Sequence, residues 1–289
     1  MMTAPAKINL YLRVLGRRQD GYHDLESWMQ KIALADRLVI SLRSQPGLTL
    51  TVGEERLPGD ETNLVWRAAM AFFAASGLAN RVGASIFLEK NIPLAAGLGG
   101  GSSDAAAVLL GLNRLCGLLL TGPALAELGL SLGADVPFFL FPAPAAFASG
   151  VGEILRPAPV LSGYHVVLVN PGFPVSTKEV FSRLSLTEKT KKTKRTAPVV
   201  WRGDEDVSGL DLRSLSNDLE AVTIAMYPQI ARIKERLLAL AAETALMSGS
   251  GATVFALFSM RDFPSCARIE KDLQEFAPLV FVTNALTGA

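Results

Sequence analysis

The sequence predicts an α+β fold divided into two domains, and three observations predict it. Strand-like stretches, at Ile8–Val14, Val82–Glu89 and Tyr164–Asn170 among others, are interleaved with helix-forming stretches that start at Ser, Thr or Asn. The chain has 289 residues, 49% of them hydrophobic, which is long for one domain and supplies a sizeable core for two. A proline-rich connector, Arg156-Pro157-Ala158-Pro159, marks the boundary and gives domains 1–157 and 158–289.

Ile8–Val14 reads Ile-Asn-Leu-Tyr-Leu-Arg-Val, the alternation of a strand. Lys7 and Asn9 stand two apart at its start and so share a face. Asp20-Gly21 is a turn signal, after which Tyr22 and His23 follow in an otherwise polar stretch. Leu38–Leu42 and Leu48–Val52 read as a hairpin around Gln45-Pro46-Gly47. Thr62 or Asn63 caps a helix running to Ala75, and Gly77 ends it. The strand Val82–Glu89 then leads through Lys90-Asn91-Ile92-Pro93 into the most informative stretch of the chain.

That stretch is Pro93-Leu94-Ala95-Ala96-Gly97-Leu98-Gly99-Gly100-Gly101-Ser102-Ser103-Asp104, with four glycines in five positions. Ser102, Ser103 and Asp104 are N-cap residue types, and an alanine- and leucine-rich helix follows to Cys116. Glycines let successive N–H groups turn toward one point and let a bulky ligand approach the main chain. The helix adds unpaired N–H groups and the positive end of its dipole. A polyphosphate uses all of these. A plain surface turn needs one or two glycines, and four are costly in chain entropy. No Gly-Lys-Ser/Thr follows, so this is not a Walker loop. Ser102 stands where a dinucleotide fingerprint needs its third glycine.

Gly122–Leu132 is a second short helix, ending in Gly133-Ala134-Asp135-Val136-Pro137. Read alone, Asp135 is an Asx turn or a cap. Ala146–Ile154 forms a strand pair around Gly150 and Gly152. After the strand Tyr164–Asn170, residues Ser176, Thr177 and Lys178 start a helix containing Phe181, which by itself reads as core. Lys189–Arg195 is the one charge run, in an aperiodic polar region from Thr187 to Ser208, and reads as a solvated loop. Helices start at Asn217–Glu220 and at Pro228. Met247-Ser248-Gly249-Ser250-Gly251-Ala252 is a second glycine loop feeding a strand; a helix over Ser265–Phe276 and a strand over Leu279–Asn284 close the chain.

Several classes are disfavoured. A formal net charge of +1 gives no electrostatic reason for nucleic-acid or membrane-surface binding. Two cysteines, Cys116 and Cys266, read as buried free thiols, and the two histidines, His23 and His165, are far apart, against a zinc cluster. The apolar run Val108–Leu120 is interrupted by Asn113 and Arg114 and is too short for a membrane span. The N-terminal residues show no basic-then-apolar signal, so a soluble cytoplasmic protein is expected.

Five motifs, in order, carry a resemblance that spans both halves of the chain: Ala4-Pro5-Ala6-Lys7-Ile8-Asn9, Arg18-Gln19-Asp20-Gly21-Tyr22-His23, the triple-glycine loop, Gly133-Ala134-Asp135-Val136-Pro137, and Gly249-Ser250-Gly251-Ala252. Together they resemble the GHMP kinase superfamily. The triple glycine and Gly-Tyr-His resemble, within it, the diphosphocytidyl-methylerythritol kinases. The resemblance implies the two-domain GHMP kinase fold, with the active site in the interdomain cleft. It implies ATP and Mg²⁺ as cofactors, with Lys90, Pro93, Leu94, Ala95, Ala96, Gly97, Leu98, Gly99, Gly100, Gly101, Ser102 and Ser103 on the nucleotide. Ser102 or Ser103 would touch the metal, whose full ligand set the sequence leaves open. Lys7 would act on the transferred phosphoryl and Asp135 as base. Asn9, Tyr22, His23, Thr177, Phe181, Gly249 and Gly251 would hold the substrate, 4-diphosphocytidyl-2-C-methyl-D-erythritol, with cytosine between Tyr22 and Phe181. A monomer or weak homodimer is expected. The alternatives are another small-molecule kinase of the superfamily, for homoserine or mevalonate, and a nucleotide-binding regulator without catalysis. Retention of both Lys7 and Asp135 speaks against the regulator.

Overall fold

The computed structural model describes residues 1–184, 212–261, 263–264 and 266–288. The chain divides into two compact units that are not consecutive in sequence. One comprises Met1–Ala6, Leu34–Leu94 and Gly99–Pro142, and the other Lys7–Ala33, Ala95–Leu98 and Ala143–Ala289. Two long strands, β1 (Met2–Arg17) and β2 (His23–Arg43), contribute a segment to each.

In the first unit, β4 (Gly83–Glu89) pairs antiparallel with the last third of β2, from Arg37↔Glu89 to Arg43↔Gly83. β3 (Gly47–Val52) pairs with β4, in parallel, from Gly47↔Gly83 to Val52↔Leu88. The expected hairpin between Leu38–Leu42 and Leu48–Val52 therefore does not form, because β4 lies between the two strands. The cause is visible at Gly83: a Cβ there would sit 2.3 Å from the Gly47 carbonyl oxygen and 2.4 Å from that of Gln45. Only glycine lets β4 run so close under that turn. Four helices complete the unit: α1 (Leu64–Ala75), α2 (Gly100–Leu115), α3 (Gly122–Leu132) and α4 (Val136–Leu140). Asn63 caps α1 by accepting from the Val65 N–H, and Thr121 caps α3 through the Ala124 N–H. α2 packs on α1, α3 and α4, and Phe72, Leu109, Leu112 and Phe138 are fully buried. Cys116, expected to be buried, is half-buried at the C-cap of α2.

In the second unit, β5 (Ala145–Ser149) pairs antiparallel with β2 at Ser27↔Ala148 to Gln30↔Ala145, and with β6 (Ile154–Pro157). The connector read as a domain boundary thus enters the sheet, with Arg156 opposite Phe147 and Pro157 opposite Ala146. A separate antiparallel sheet takes the order β10-β7-β9-β8, from β7 (Tyr164–Asn170), β8 (Thr244–Met247), β9 (Val254–Ser259) and β10 (Leu279–Asn284). α5 (Thr177–Arg183), α6 (Glu220–Met226), α7 (Gln229–Ala239) and α8 (Cys266–Gln274) complete the unit. One apolar cluster joins Val167, Val169, Val180, Ile230, Ile233, Leu237, Val254 and Ile269. The run Lys189–Arg195 and the side chain of Cys266 lie outside the described residues.

Candidate active site

The glycine loop is fixed by its carbonyl oxygens. That of Ala95 accepts from the N–H of Val175 (3.4 Å), Ala96 from Thr253 (3.2 Å), Gly97 from the Ser248 hydroxyl (2.9 Å) and Leu98 from the N–H of Lys7 (2.9 Å). All of these belong to the second unit. Leu98 and Ala96 are buried anchors. Gly97 (φ 76°) and Gly99 (φ 72°) take the left-handed conformation that glycine tolerates. With the carbonyls engaged, N–H groups are what the loop has left for a ligand, and the first turn of α2 adds more that have no intrahelical acceptor. Gly99 is the N-cap of α2. Ser102, Ser103 and Asp104 were expected to cap it but lie inside the helix, because the left-handed Gly99 turns the chain into the helix three residues earlier. The Ser103 hydroxyl is buried with no hydrogen-bond partner among the described residues. Such an orphan suits a ligand oxygen or a metal-bound water.

Lys7 and Asn9 do share a face of β1, and both are buried. Lys7 is therefore not a solvated lysine at a strand start. The Lys7 ammonium donates to Asn9 Oδ1, Asn9 Nδ2 donates to the Ser27 hydroxyl (2.8 Å), and Ser27 donates to the Tyr11 carbonyl (2.7 Å). Asn9, expected on the substrate, thus has both ends of its amide engaged. Ser27 is a residue that the sequence reading missed; its only signal was a small polar side chain beside Trp28 and Met29 in a strand.

In the first unit, Asp135 is half-buried at the N-cap of α4, and its side chain makes no capping hydrogen bond. The bland reading of Asp135 as a cap therefore fails. A Cβ at Gly133 would lie 3.8 Å from Ser102 Oγ, so the Gly-Ala-Asp motif and the start of α2 are neighbours. Lys90 does not present a free ammonium. It is buried against Asp36 and, at 2.7 Å, Asp104. Burial pushes the Asp104 carboxyl up to about 7, with Lys90 opposing the shift and Asp36 adding to it.

The second glycine motif is also built from outside. Asn217 Nδ2 donates to the carbonyls of Met247 (2.8 Å) and Gly249 (2.7 Å), and the Thr223 hydroxyl donates to that of Ser250 (3.2 Å). Glu220 accepts from the Met247 N–H (2.9 Å) and from Lys234. The motif meets the first glycine loop directly: a Cβ at Gly249 would lie 3.1 Å from the Gly97 carbonyl oxygen and 3.5 Å from Asn9 Oδ1. Thr177 is brought to it as well, its hydroxyl 2.8 Å from that of Ser250. Phe181 stacks on His23, with ring centroids 4.9 Å apart and planes at 28°, while Tyr22 is 62% exposed. Phe181 packs on the apolar cluster of the second unit, as its core reading implies, and its ring also pairs with His23. Burial, with Arg17 nearby, lowers the His23 pKa and favours the neutral imidazole. Among the described residues no group of three or more His, Cys, Asp or Glu is placed to hold a metal ion.

Comparison with known proteins gives the family. The GHMP kinases N terminal domain matches residues 63–142 and the GHMP kinases C terminal domain residues 205–279. A 4-diphosphocytidyl-2-C-methyl-D-erythritol kinase of Geobacter metallireducens is 49% identical over 90% of both chains. One of the same name from Pelobacter propionicus is 48% identical over 93% of both. A crystal structure of 4-(cytidine 5'-diphospho)-2C-methyl-D-erythritol kinase superposes with a TM-score of 0.77 at 34% identity, over 99% of this chain and 98% of that one. A homoserine kinase from Cytophaga hutchinsonii shares the fold, with a TM-score of 0.75 at 20% identity over 99% of this chain and 96% of that one. The chain belongs to the GHMP kinases, in the family of these 4-diphosphocytidyl-2-C-methyl-D-erythritol kinases.

Proposed function

We propose that this chain transfers the γ-phosphoryl group of ATP to the 2-hydroxyl of 4-diphosphocytidyl-2-C-methyl-D-erythritol, releasing ADP and the 2-phosphate, a step toward isoprenoid precursors. The observation that carries the reading is the loop Ala95–Leu98, whose carbonyl oxygens are all tied down beside the start of α2. That is a cradle for a polyphosphate, in a chain whose relatives bear this kinase's name.

Positioning and charge stabilisation dominate phosphoryl transfer. In this reading the loop and the first turn of α2 hold the β- and γ-phosphates. Asp135 accepts the proton of the attacking hydroxyl, and Lys7 stabilises charge on the transferred group. When bound, Mg²⁺ supplies neutralisation of phosphate oxygens; Ser102 and Ser103 are the hydroxyls that would meet it. Tyr22 and Phe181 offer aromatic faces to the cytosine. The neutral His23 imidazole offers one donor and one acceptor to the edge of the base. Thr177, Gly249 and Gly251 complete the substrate side, so residues 158–289 serve mainly the substrate and 1–157 mainly ATP. Among the described residues no helix is long and apolar enough to cross a membrane. We take the enzyme to act in the cytoplasm, as a monomer or weak homodimer.

The test is a coupled ADP-release assay with ATP, Mg²⁺ and 4-diphosphocytidyl-2-C-methyl-D-erythritol, run beside homoserine and mevalonate. Turnover with the cytidylyl compound alone is expected. ADP release with another alcohol would overturn the cytosine pocket, and ATP binding without turnover on any of them would overturn the kinase reading.

A further inference from the structure

Lys90, Asp36 and Asp104 form a buried cluster that the reaction does not use. The Lys90 side chain is 4% exposed, and those of Asp36 and Asp104 0% and 3%. Asp36 also accepts, through Oδ1, the N–H groups of Asn91 (2.6 Å) and Ile92 (2.8 Å), just upstream of the glycine loop. Asp104 stands on α2, just downstream of the loop, and Lys90 reaches it at 2.7 Å. A Cβ built on Gly100 would lie 3.4 Å from the Lys90 ammonium and 3.0 Å from Ile92 Cγ2, so the two arms of the loop touch at this point. One ammonium therefore holds together β2, the residues that lead into the loop, and the helix that leaves it.

A lysine that contacts a nucleotide base must turn its ammonium to the ligand. This one is enclosed by two carboxylates of its own unit. We infer that Lys90 is a positioning residue: with Asp36 and Asp104 it pins both arms of the phosphate loop, presetting the loop's N–H groups for a polyphosphate without touching the nucleotide. The inference rests on the reading of the loop as the ATP phosphate site. It assigns Lys90 a different role from the nucleotide contact that the family resemblance implied.

The experiment compares binding of ATP and of inorganic tripolyphosphate by calorimetry, since the second ligand has no base. Asp104→Ala removes the acceptor on α2, whereas Asp104→Asn keeps one for Lys90. The expected result is that Asp104→Ala weakens both ligands by the same factor, about tenfold or more given how steeply function falls with small misplacements, and that Asp104→Asn retains both. Lys90→Met should match Asp104→Ala, and the double variant should be no weaker than Lys90→Met. Lys90→Met strands two buried carboxylates and is prone to unfold; the two Asp104 variants then decide the matter alone. Loss of ATP binding with tripolyphosphate binding intact in Lys90→Met would make Lys90 a base contact and overturn the inference. Unchanged binding of both ligands in Asp104→Ala would overturn it too. Wild-type protein that binds neither ligand would instead remove the phosphate-site reading on which the inference stands.

Discussion

The Ser248 hydroxyl donates to the Gly97 carbonyl at 2.9 Å, and a Cβ on Gly97 would come within 2.1 Å of the Ser248 carbonyl oxygen. The two glycine motifs, 151 residues apart in sequence, are thus tied by a side-chain hydroxyl at a point where their backbones pack closely.

Gly97→Ala follows from that contact. At φ 76° a side chain is strained, costing about 1–2 kcal/mol. Relief of the clash with a buried backbone oxygen costs about 1–3 kcal/mol more. The expected outcome is a lowered melting temperature together with a KM for ATP raised about tenfold or more, each 1.4 kcal/mol being a factor of ten. Ser248→Ala, which removes one hydrogen bond, should cost only about 1 kcal/mol. Thermal melts and ATP-dependent kinetics check both. A Gly97→Ala enzyme with an unaltered KM for ATP would mean the loop does not need this geometry.

Ser27 acts through Asn9. Removing its hydroxyl leaves the buried Asn9 Nδ2 without its 2.8 Å acceptor, a loss of about 1–3 kcal/mol. It also frees the amide that orients the Lys7 ammonium. Ser27→Ala is therefore expected to lower kcat more than it changes either KM, since Lys7 serves the transition state in this reading, and Ser27→Thr is expected to recover kcat. Steady-state kinetics of the two variants distinguish this from plain destabilisation, which would not be repaired selectively in kcat.

The legibility of this molecule from sequence varied with how local the cause was. Asn63 and Ser176 announced their helices because a cap acts within three residues. Tyr164–Asn170 and Leu279–Asn284 were readable as strands because each is a short β-branched or apolar run between breakers. β2 was legible only at its end: its first half carries Gln30 and Lys31 in buried positions. Gln30 there is satisfied by the carbonyls of Pro144 and Leu286 and by the Leu161 N–H, distant partners that no local pattern reveals. The same holds at the site. Gly97, Lys7 and Asp135 stood out through motifs, whereas Ser27 and Asp36 are defined by partners far along the chain. Lys90 was noticed for its place before the loop, but its burial between two carboxylates is a tertiary fact.

Lys31 predicts a pH effect. It is 9% exposed, and burial lowers its pKa from 10.5 to about 8. The unfolded chain keeps the proton up to the ordinary lysine value, whereas the folded chain releases it near 8, so stability rises with pH between those values and the penalty is present in full below about 8. At about 1.4 kcal/mol per unit of pKa, Lys31→Met is expected to stabilise the protein by about 1–3 kcal/mol at neutral pH. The advantage should shrink as pH rises through the window. Denaturant unfolding of both proteins at neutral and alkaline pH measures it; a difference independent of pH would mean that the ammonium of Lys31 carries no burial penalty.

Asp135→Asn tests the chemistry most directly. Asp135 makes no capping hydrogen bond to α4, and asparagine matches aspartate in shape, so the local fold should persist. General-base help is worth roughly 100- to 10,000-fold, and the variant is expected to lose turnover within that range. Its affinity for ATP should stay near that of the wild type, because in the proposed reading backbone N–H groups of the loop, and not this carboxylate, hold the phosphates. The paired measurement is single-turnover phosphoryl transfer and equilibrium ATP binding on the same preparation. Near-normal transfer would remove Asp135 from the mechanism, and joint loss of binding and transfer would assign it to ATP binding instead.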